Sequence, residues 1–365
     1  MLRVLHVVTD MNRGGLETML MNYYRHIDRG SVQFDFLVHR QKRAAYDDEI
    51  EKLGGRIFRI QKLNPLSPSY YSALDDFFRE HTEYNIVHAH LDCMSAYPLR
   101  AAKRAGVPVR IAHAHSTAQD HDWKFIFKLF SKRFISRYAT FLFSCSEDAG
   151  KWMFGTDKIT VLKNAIDTSK YAFDMSVRNE MRKKLQLEDA FVLGHVGRFS
   201  PAKNHDFLID VFQIVKECCP DAKLLLVGDG AKRIEIFEKV KRLNLSKDVI
   251  FAGVCENVDE LLQAMDIFVF PSLYEGFGIA ALEAQTSGLP CVISENVPND
   301  CAVTADLTAF LPLDAGADEW ADAVLTKRDI VRKDRSAEVT SKHMDIINEA
   351  VKLEEFYKKA YEKQF

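Results

Sequence analysis

Two carboxylates, Glu275 and Glu283, stand eight positions apart around a Gly-Phe-Gly loop in the segment E-G-F-G-I-A-A-L-E-A. A short apolar run, Asp266-Ile-Phe-Val-Phe-Pro271, leads into the loop, and residues 279–286 read as a helix starting at it. Gly276 and Gly278 permit tight backbone geometry between the two. A helix start offers unpaired N–H groups and the positive end of a dipole, so it attracts an anion and suits a phosphate. Carboxylates beside it would repel a bare phosphate but can accept hydrogen bonds from neighbouring hydroxyls. A ligand with a diphosphate between two hydroxyl-rich groups meets both demands. The competing expectation is a surface loop with a solvated helix face.

Arg198 follows an apolar run at 191–197, and Lys203 lies five residues on, within Ser200-Pro-Ala-Lys-Asn204. A departing diphosphate gains negative charge as its bond to a sugar breaks. Two fixed cations and the helix start would stabilise that charge, so neither a metal ion nor a cofactor is expected. Two solvated surface cations are the plainer alternative. His88-Ala-His90 and His113-Ala-His115 end two further strand-like runs. Residues i and i+2 of a strand point the same way, so each pair could chelate a metal. No acidic or cysteine cluster accompanies them, and core or cleft histidines are expected instead. Ligands of open α/β sheets sit beyond the carboxyl ends of strands, so at least one of these imidazoles should face a cleft. Glu275 and Glu283 superficially match a glycosidase pair, which needs two carboxylates facing one bond. Their places around a phosphate-type loop argue against it.

Short apolar runs must carry these groups. In the first half they lie at 2–8, 34–38, 56–60, 86–90, 109–113 and 141–144; in the second, at 191–196, 223–227, 249–252, 267–270 and 291–294. Alternation with helical stretches predicts parallel sheets wound on both faces. The second series begins after the turn-rich Asn164-Ala-Ile-Asp167. At 365 residues there is room for two domains, each with its own core. No apolar run approaches a membrane span, and the N-terminal residues look like a strand rather than a signal peptide. Seven cysteines show no C-x-x-C pair or zinc spacing, which predicts buried, reduced thiols and a cytoplasmic setting. Residues 1–168 hold 24 Lys and Arg against 19 Asp and Glu, giving +5, and the remainder carries −8. No dense basic stripe favours nucleic acid. The stretch from Trp123 to Tyr138 carries five cations and no acid, with Lys124, Lys128 and Lys132 four residues apart. It reads either as an amphipathic helix at an anionic membrane surface or as one packed on its own domain.

The E-x7-E pattern with its internal G-F-G resembles the signature of the retaining glycosyltransferases of family 4, which have the two-domain GT-B fold. Val196-Gly197-Arg198 followed by Lys203 is similar to that family's G-R-x4-K diphosphate clamp. Leu226-Val227-Gly228-Asp229-Gly230 resembles its following strand and turn, and Ser287-Gly288-Leu289-Pro290-Cys291-Val292 its G-x-P strand entry. Gly14-Gly15-x-Glu17 looks like its opening glycine loop. The matches keep family order from Gly14 to about Val292.

The resemblance implies an α/β protein of two Rossmann-like doubly wound domains facing a central cleft. Residues 1–167 would form the acceptor side and 168–344 the nucleotide-sugar domain, with 345–365 a helix crossing back. It implies catalytic roles for Arg198, Lys203, Glu275 and His115. Gly14, Gly15, Val254, Phe277, Gly278, Ile279 and Glu283 would bind substrate. Glu275 would take donor-sugar hydroxyls, Glu283 the ribose, and the backbone of Phe251-Ala-Gly-Val254 the base. The family histidine near the donor sugar leaves both His113 and His115 open, with His115 preferred. Ala165 stands where many members have glycine. The loop Glu295-Asn-Val-Pro-Asn-Asp300 lacks their glycine-rich form, so the donor sugar stays open. The implied reaction moves a sugar, with retention, from a nucleotide-sugar such as a UDP-sugar to a saccharide or lipid-linked saccharide in surface polysaccharide synthesis. Its setting would be the cytoplasm, on the inner face of the cell membrane if the basic stretch docks there. A nucleotide-sugar epimerase of similar form and a non-catalytic nucleotide-sugar-binding protein are the alternatives. An NAD dehydrogenase is disfavoured because no G-x-G-x-x-G follows the first strand.

Overall fold

The computed structural model describes residues 1–116 and 125–363, the side chains of 125–128 excepted. The chain divides into two compact units, Met1–Ile166 with Asp345–Phe365, and Asp167–Met344.

The first unit is built on seven strands, β1 (Leu2–Val8), β2 (Val32–Val38), β3 (Ile57–Arg59), β4 (Ile86–Ala89), β5 (Val109–Ala114), β6 (Phe141–Ser144) and β7 (Thr160–Val161). Every pairing is parallel, in the order β3-β2-β1-β4-β5-β6-β7. Strands such as β2 are buried along their whole length, as a sheet covered on both faces requires. One side packs Leu5, Val7, Leu37, Val87 and Ala112 against helical Tyr70, Leu74, Leu99 and Ile135. On the other, helix Ile346–Glu362 brings fully buried Tyr357 to the sheet. Asp345 caps this helix by accepting the Ile347 N–H at 3.0 Å.

The second unit carries β8 (Phe191–Val196), β9 (Ala222–Val227), β10 (Val249–Gly253), β11 (Ile267–Phe270), β12 (Cys291–Ser294) and β13 (Thr308–Leu311). Its order, β10-β9-β8-β11-β12-β13, repeats that of the first unit, again all parallel. Leu193, Leu224, Leu226, Ile267 and Val292 pack on Leu208, Phe212, Val215 and Trp320 of flanking helices. Both sheets are therefore doubly wound, with a switch point between β1 and β4 in one and between β8 and β11 in the other.

Three expectations need correction. Edge strands β7 and β13 extend the sheets beyond the expected runs. Among the seven free cysteines, Cys218 is exposed and Cys255 half-buried, so buried thiols describe only five. The basic stretch is not one helix: Phe125–Lys132 and Ile135–Tyr138 are separate. The break seats Ile135 in the core at 1 % exposure, while Phe130 stays more than half exposed. Lys132 turns back over the Trp152 ring at 4.4 Å, as packing on its own unit predicts. Trp123 and Lys124 lie outside the described residues. No helix among the described residues is long and apolar enough to cross a membrane.

Candidate active site

In the second unit, the strands flanking the switch point end in charge. Beyond β8, Gly197 leads to Arg198, which is exposed and makes no side-chain hydrogen bond among the described residues. Lys203 closes the short 3-10 turn Pro201–Lys203 and is drawn over the Phe270 ring at 4.7 Å. Its ammonium forms an ion pair with Glu275, which lies beyond β11. Residues 72 positions apart thus meet in one mouth. Beneath Lys203 lie His195 and His205, both buried. Burial holds the His195 imidazole well below its ordinary pKa, helped by His205 and by the Lys203 cation. His205 falls to about 4 for the same two reasons, burial first and Lys203 second. The cation therefore stands over neutral rings.

Helix Ile279–Thr286 begins beside this pair. Its N-cap, Gly278, has φ +95°, a conformation that favours glycine, and a Cβ there would press on Val297 Cγ1 at 3.1 Å. No side chain caps the start and no acid occupies the first turn, so its amides are available to an anion. Phe277 is buried and Ile279 half-buried behind the loop. Gly228, at φ +132°, brings the β9 turn against β8: a Cβ there would lie 2.1 Å from the Gly197 carbonyl oxygen. That close approach leaves the Arg198 backbone its course.

Glu283 is 6 % exposed and accepts a 2.9 Å hydrogen bond from the Tyr171 hydroxyl. Burial raises its carboxyl to about 7, opposed by the Tyr171 hydrogen bond and by Lys170. Tyr171 was missed by sequence reasoning, since nothing near it signals chemistry and only the fold brings it to Glu283. Val254 is well exposed after Gly253, at the end of β10.

The first unit presents imidazoles instead. His6 Nδ1 shares a 2.9 Å hydrogen bond with His90 Nε2, and His90 Nδ1 another of 2.9 Å with His115 Nε2. Alongside, Tyr357 Oη meets His88 Nδ1 at 2.7 Å, and His88 Nε2 meets His113 Nδ1 at 3.1 Å. Burial lowers His6 and His115 to about 3 and holds His88, His90 and His113 well below the ordinary imidazole value, so all five are neutral. His113 is buried and His115 half-buried. Gly14 caps helix Gly15–His26 after β1.

Cations and a bare helix start at the switch point of a doubly wound sheet suit a ligand that carries a diphosphate. Family models agree: Glycosyltransferase Family 4 matches residues 13–170 and Glycosyl transferases group 1 residues 177–326. The Bacillus subtilis (strain 168) protein EpsF is 39 % identical over 332 residues, covering 88 % of this chain and 86 % of its own. The UDP-Gal:α-D-GlcNAc-diphosphoundecaprenol α-1,3-galactosyltransferase of Escherichia coli is 30 % identical over 241 residues, 63 % of this chain and 62 % of that one. Anabaena Alr3699/HepE, solved with UDP and glucose, superimposes with a TM-score of 0.82 at 19 % identity, covering 98 % of this chain and 100 % of that one. The chain belongs to the family 4 glycosyltransferases and has their GT-B fold. It is a glycosyltransferase that uses a nucleotide-sugar, and membership of a transferase family sets aside the epimerase and the non-catalytic binding protein.

Proposed function

We propose that this enzyme moves a sugar from a UDP-sugar to a saccharide or lipid-linked saccharide acceptor of surface polysaccharide assembly, with retention of anomeric configuration and without a metal ion. The observation that carries the proposal is the Lys203–Glu275 pair beside the uncapped start of Ile279–Thr286, with Arg198 exposed just beyond β8 at the same switch point. Together they offer a diphosphate two cations and a set of amides. UDP and an undecaprenol-linked saccharide in the names of similar proteins support the choice of donor and acceptor.

On donor arrival the leaving diphosphate takes the Lys203 ammonium from Glu275, and Glu275 turns to the sugar hydroxyls. The C1–O bond to the diphosphate breaks while the acceptor oxygen bonds to C1 on the same face. The acceptor proton passes to the departing phosphate oxygen, whose charge Arg198, Lys203 and the helix start stabilise. Glu283, steadied by Tyr171, accepts from the ribose hydroxyls.

The test is transfer from UDP-, GDP- and ADP-sugars to saccharide acceptors in the presence of EDTA, with the product anomer read by NMR. UDP-dependent transfer that survives chelation and keeps the donor configuration is expected. Inverted product, or loss on chelation restored by Mn²⁺, would replace this mechanism.

A further inference from the structure

Alternation along a strand sets His88 with His90, and His113 with His115, on common faces; the pairing of β4 with β5 then brings the two sets together. His90, His113 and His115 each offer a ring nitrogen, and the three nitrogens lie within 4.8 Å of one another. Ring centroids are 5.1 Å apart for His90 and His115, 5.2 Å for His90 and His113, and 4.0 Å for His113 and His115. A tetrahedral ion at zinc–nitrogen distances of about 2.0–2.1 Å holds such centroids about 5 Å apart. Two spacings already suit it, and the third opens on loading.

The outer nitrogens are also provided for. His90 Nε2 is held by His6, and His113 Nδ1 by His88, which Tyr357 holds in turn. Metal-ligating imidazoles carry a partner of this kind on their second nitrogen. His113 Nε2, by contrast, is buried without a hydrogen-bond partner. An orphaned polar atom in a native core calls for an occupant, and an ion is one. The half-buried His115 gives that ion a way in, and Asp92, beyond β4, accepts the His115 backbone N–H at 2.9 Å and brings a carboxylate to the neighbouring loop. The neighbouring group His6, His88 and His90 is also close-set, but it is closed to solvent and both His88 nitrogens are taken.

We propose that His90, His113 and His115 bind a divalent transition-metal ion of the zinc type, with a fourth position open to water. Neutral imidazoles suit Zn²⁺, Co²⁺, Ni²⁺ or Cu²⁺ and not Mg²⁺ or Ca²⁺. The site lies wholly in the first unit, so it stands or falls independently of the donor clamp.

Metal-free full-length protein titrated with Co²⁺ should develop the visible bands of a tetrahedral or five-coordinate ion, saturating near one equivalent and discharged by Zn²⁺. Mg²⁺ should not compete. His113→Phe and His115→Ala should each abolish the bands, and His88→Phe should weaken Co²⁺ affinity by about 10- to 100-fold. Far-UV circular dichroism identifies any variant that fails to fold, and the wild-type titration needs no variant. A wild-type spectrum no different from that of aqueous Co²⁺ would overturn the proposal, as would bands that persist unchanged in folded His113→Phe and His115→Ala.

Discussion

The two units share one strand order yet finish their sheets in opposite chemical styles. Beyond β8 and β11 stand Arg198, Lys203 and Glu275, whose charges lie in loops that water reaches. At the ends of β4 and β5 stand neutral imidazoles, hydrogen-bonded to one another and pressed from below by Tyr357. A parallel sheet buried on both faces cannot hold unpaired charge within it. Inside the sheets a charge is kept only where it is paired, as Asp35 of β2 is with Arg3 of β1. At these strand ends the ionised groups stand on the loops, and the imidazoles within are ones that burial keeps uncharged. The scaffold dictates where ions stand and leaves open which ions they are.

The clamp should give the largest effect. Arg198→Ala or Lys203→Ala should lower turnover by about 10²-fold or more with the fold intact, because each removes charge stabilisation at the leaving group. Wild-type turnover in either variant would remove that residue from the mechanism. On the neutral side, Tyr357→Phe leaves His88 Nδ1 without its partner in a dry core, at a cost of about 1–3 kcal/mol. Urea unfolding measures it, and an unchanged midpoint would mean that the imidazole array does not depend on its hydrogen bonds.

Glu283 sits between the two styles, a carboxyl buried enough to titrate near neutrality. Its folded pKa, about 7, lies above the unfolded value, so folding takes up a proton between the two. Its contribution to stability is thus present at low pH and lost as pH rises through about 7. UDP affinity should move oppositely, strengthening as the carboxylate forms to accept the ribose hydroxyls. Glu283→Gln should weaken free UDP by about tenfold, on the order of 1.4 kcal/mol, and flatten both pH profiles. Glu275→Gln should leave free UDP nearly unaffected while slowing transfer. Calorimetry with UDP across pH reads both, and equal weakening in the two variants would defeat the division of labour.

The basic stretch should give the smallest effect. With Lys132 turned onto Trp152, Lys132→Ala should weaken sedimentation with anionic vesicles by no more than about 1 kcal/mol, about fivefold. Wild-type protein that ignores such vesicles at low salt would leave the stretch as ordinary structure.

Central strands were legible because burial on both faces writes them as unbroken apolar runs: β1, β6, β8, β11 and β12 keep the expected bounds. Edge strands β7 and β13 were not. Thr160–Val161 is exposed and Thr308–Leu311 only half-buried, so neither carries a strong apolar signal. The Glu-x7-Glu loop could be read because its glycines and helix start are local. The Lys203–Glu275 pair and the Tyr171–Glu283 hydrogen bond could not, since only strand order brings such distant residues together. The histidine pairs were visible singly, but their convergence with His6 depends on β1, β4 and β5 being neighbours.

The first unit borrows its last helix, Ile346–Glu362, from the far end of the chain. During synthesis, residues 167–344 form a continuous stretch that has everything its own sheet needs once it leaves the ribosome. The amino-terminal sheet emerges earlier yet lacks Tyr357 until the whole of the second unit has been made. The usual order, in which the first-made domain folds first, is therefore reversed in completion. A chain stopped short of residue 345 would release a finished second unit attached to an uncovered first one, a ready substrate for chaperones and proteases.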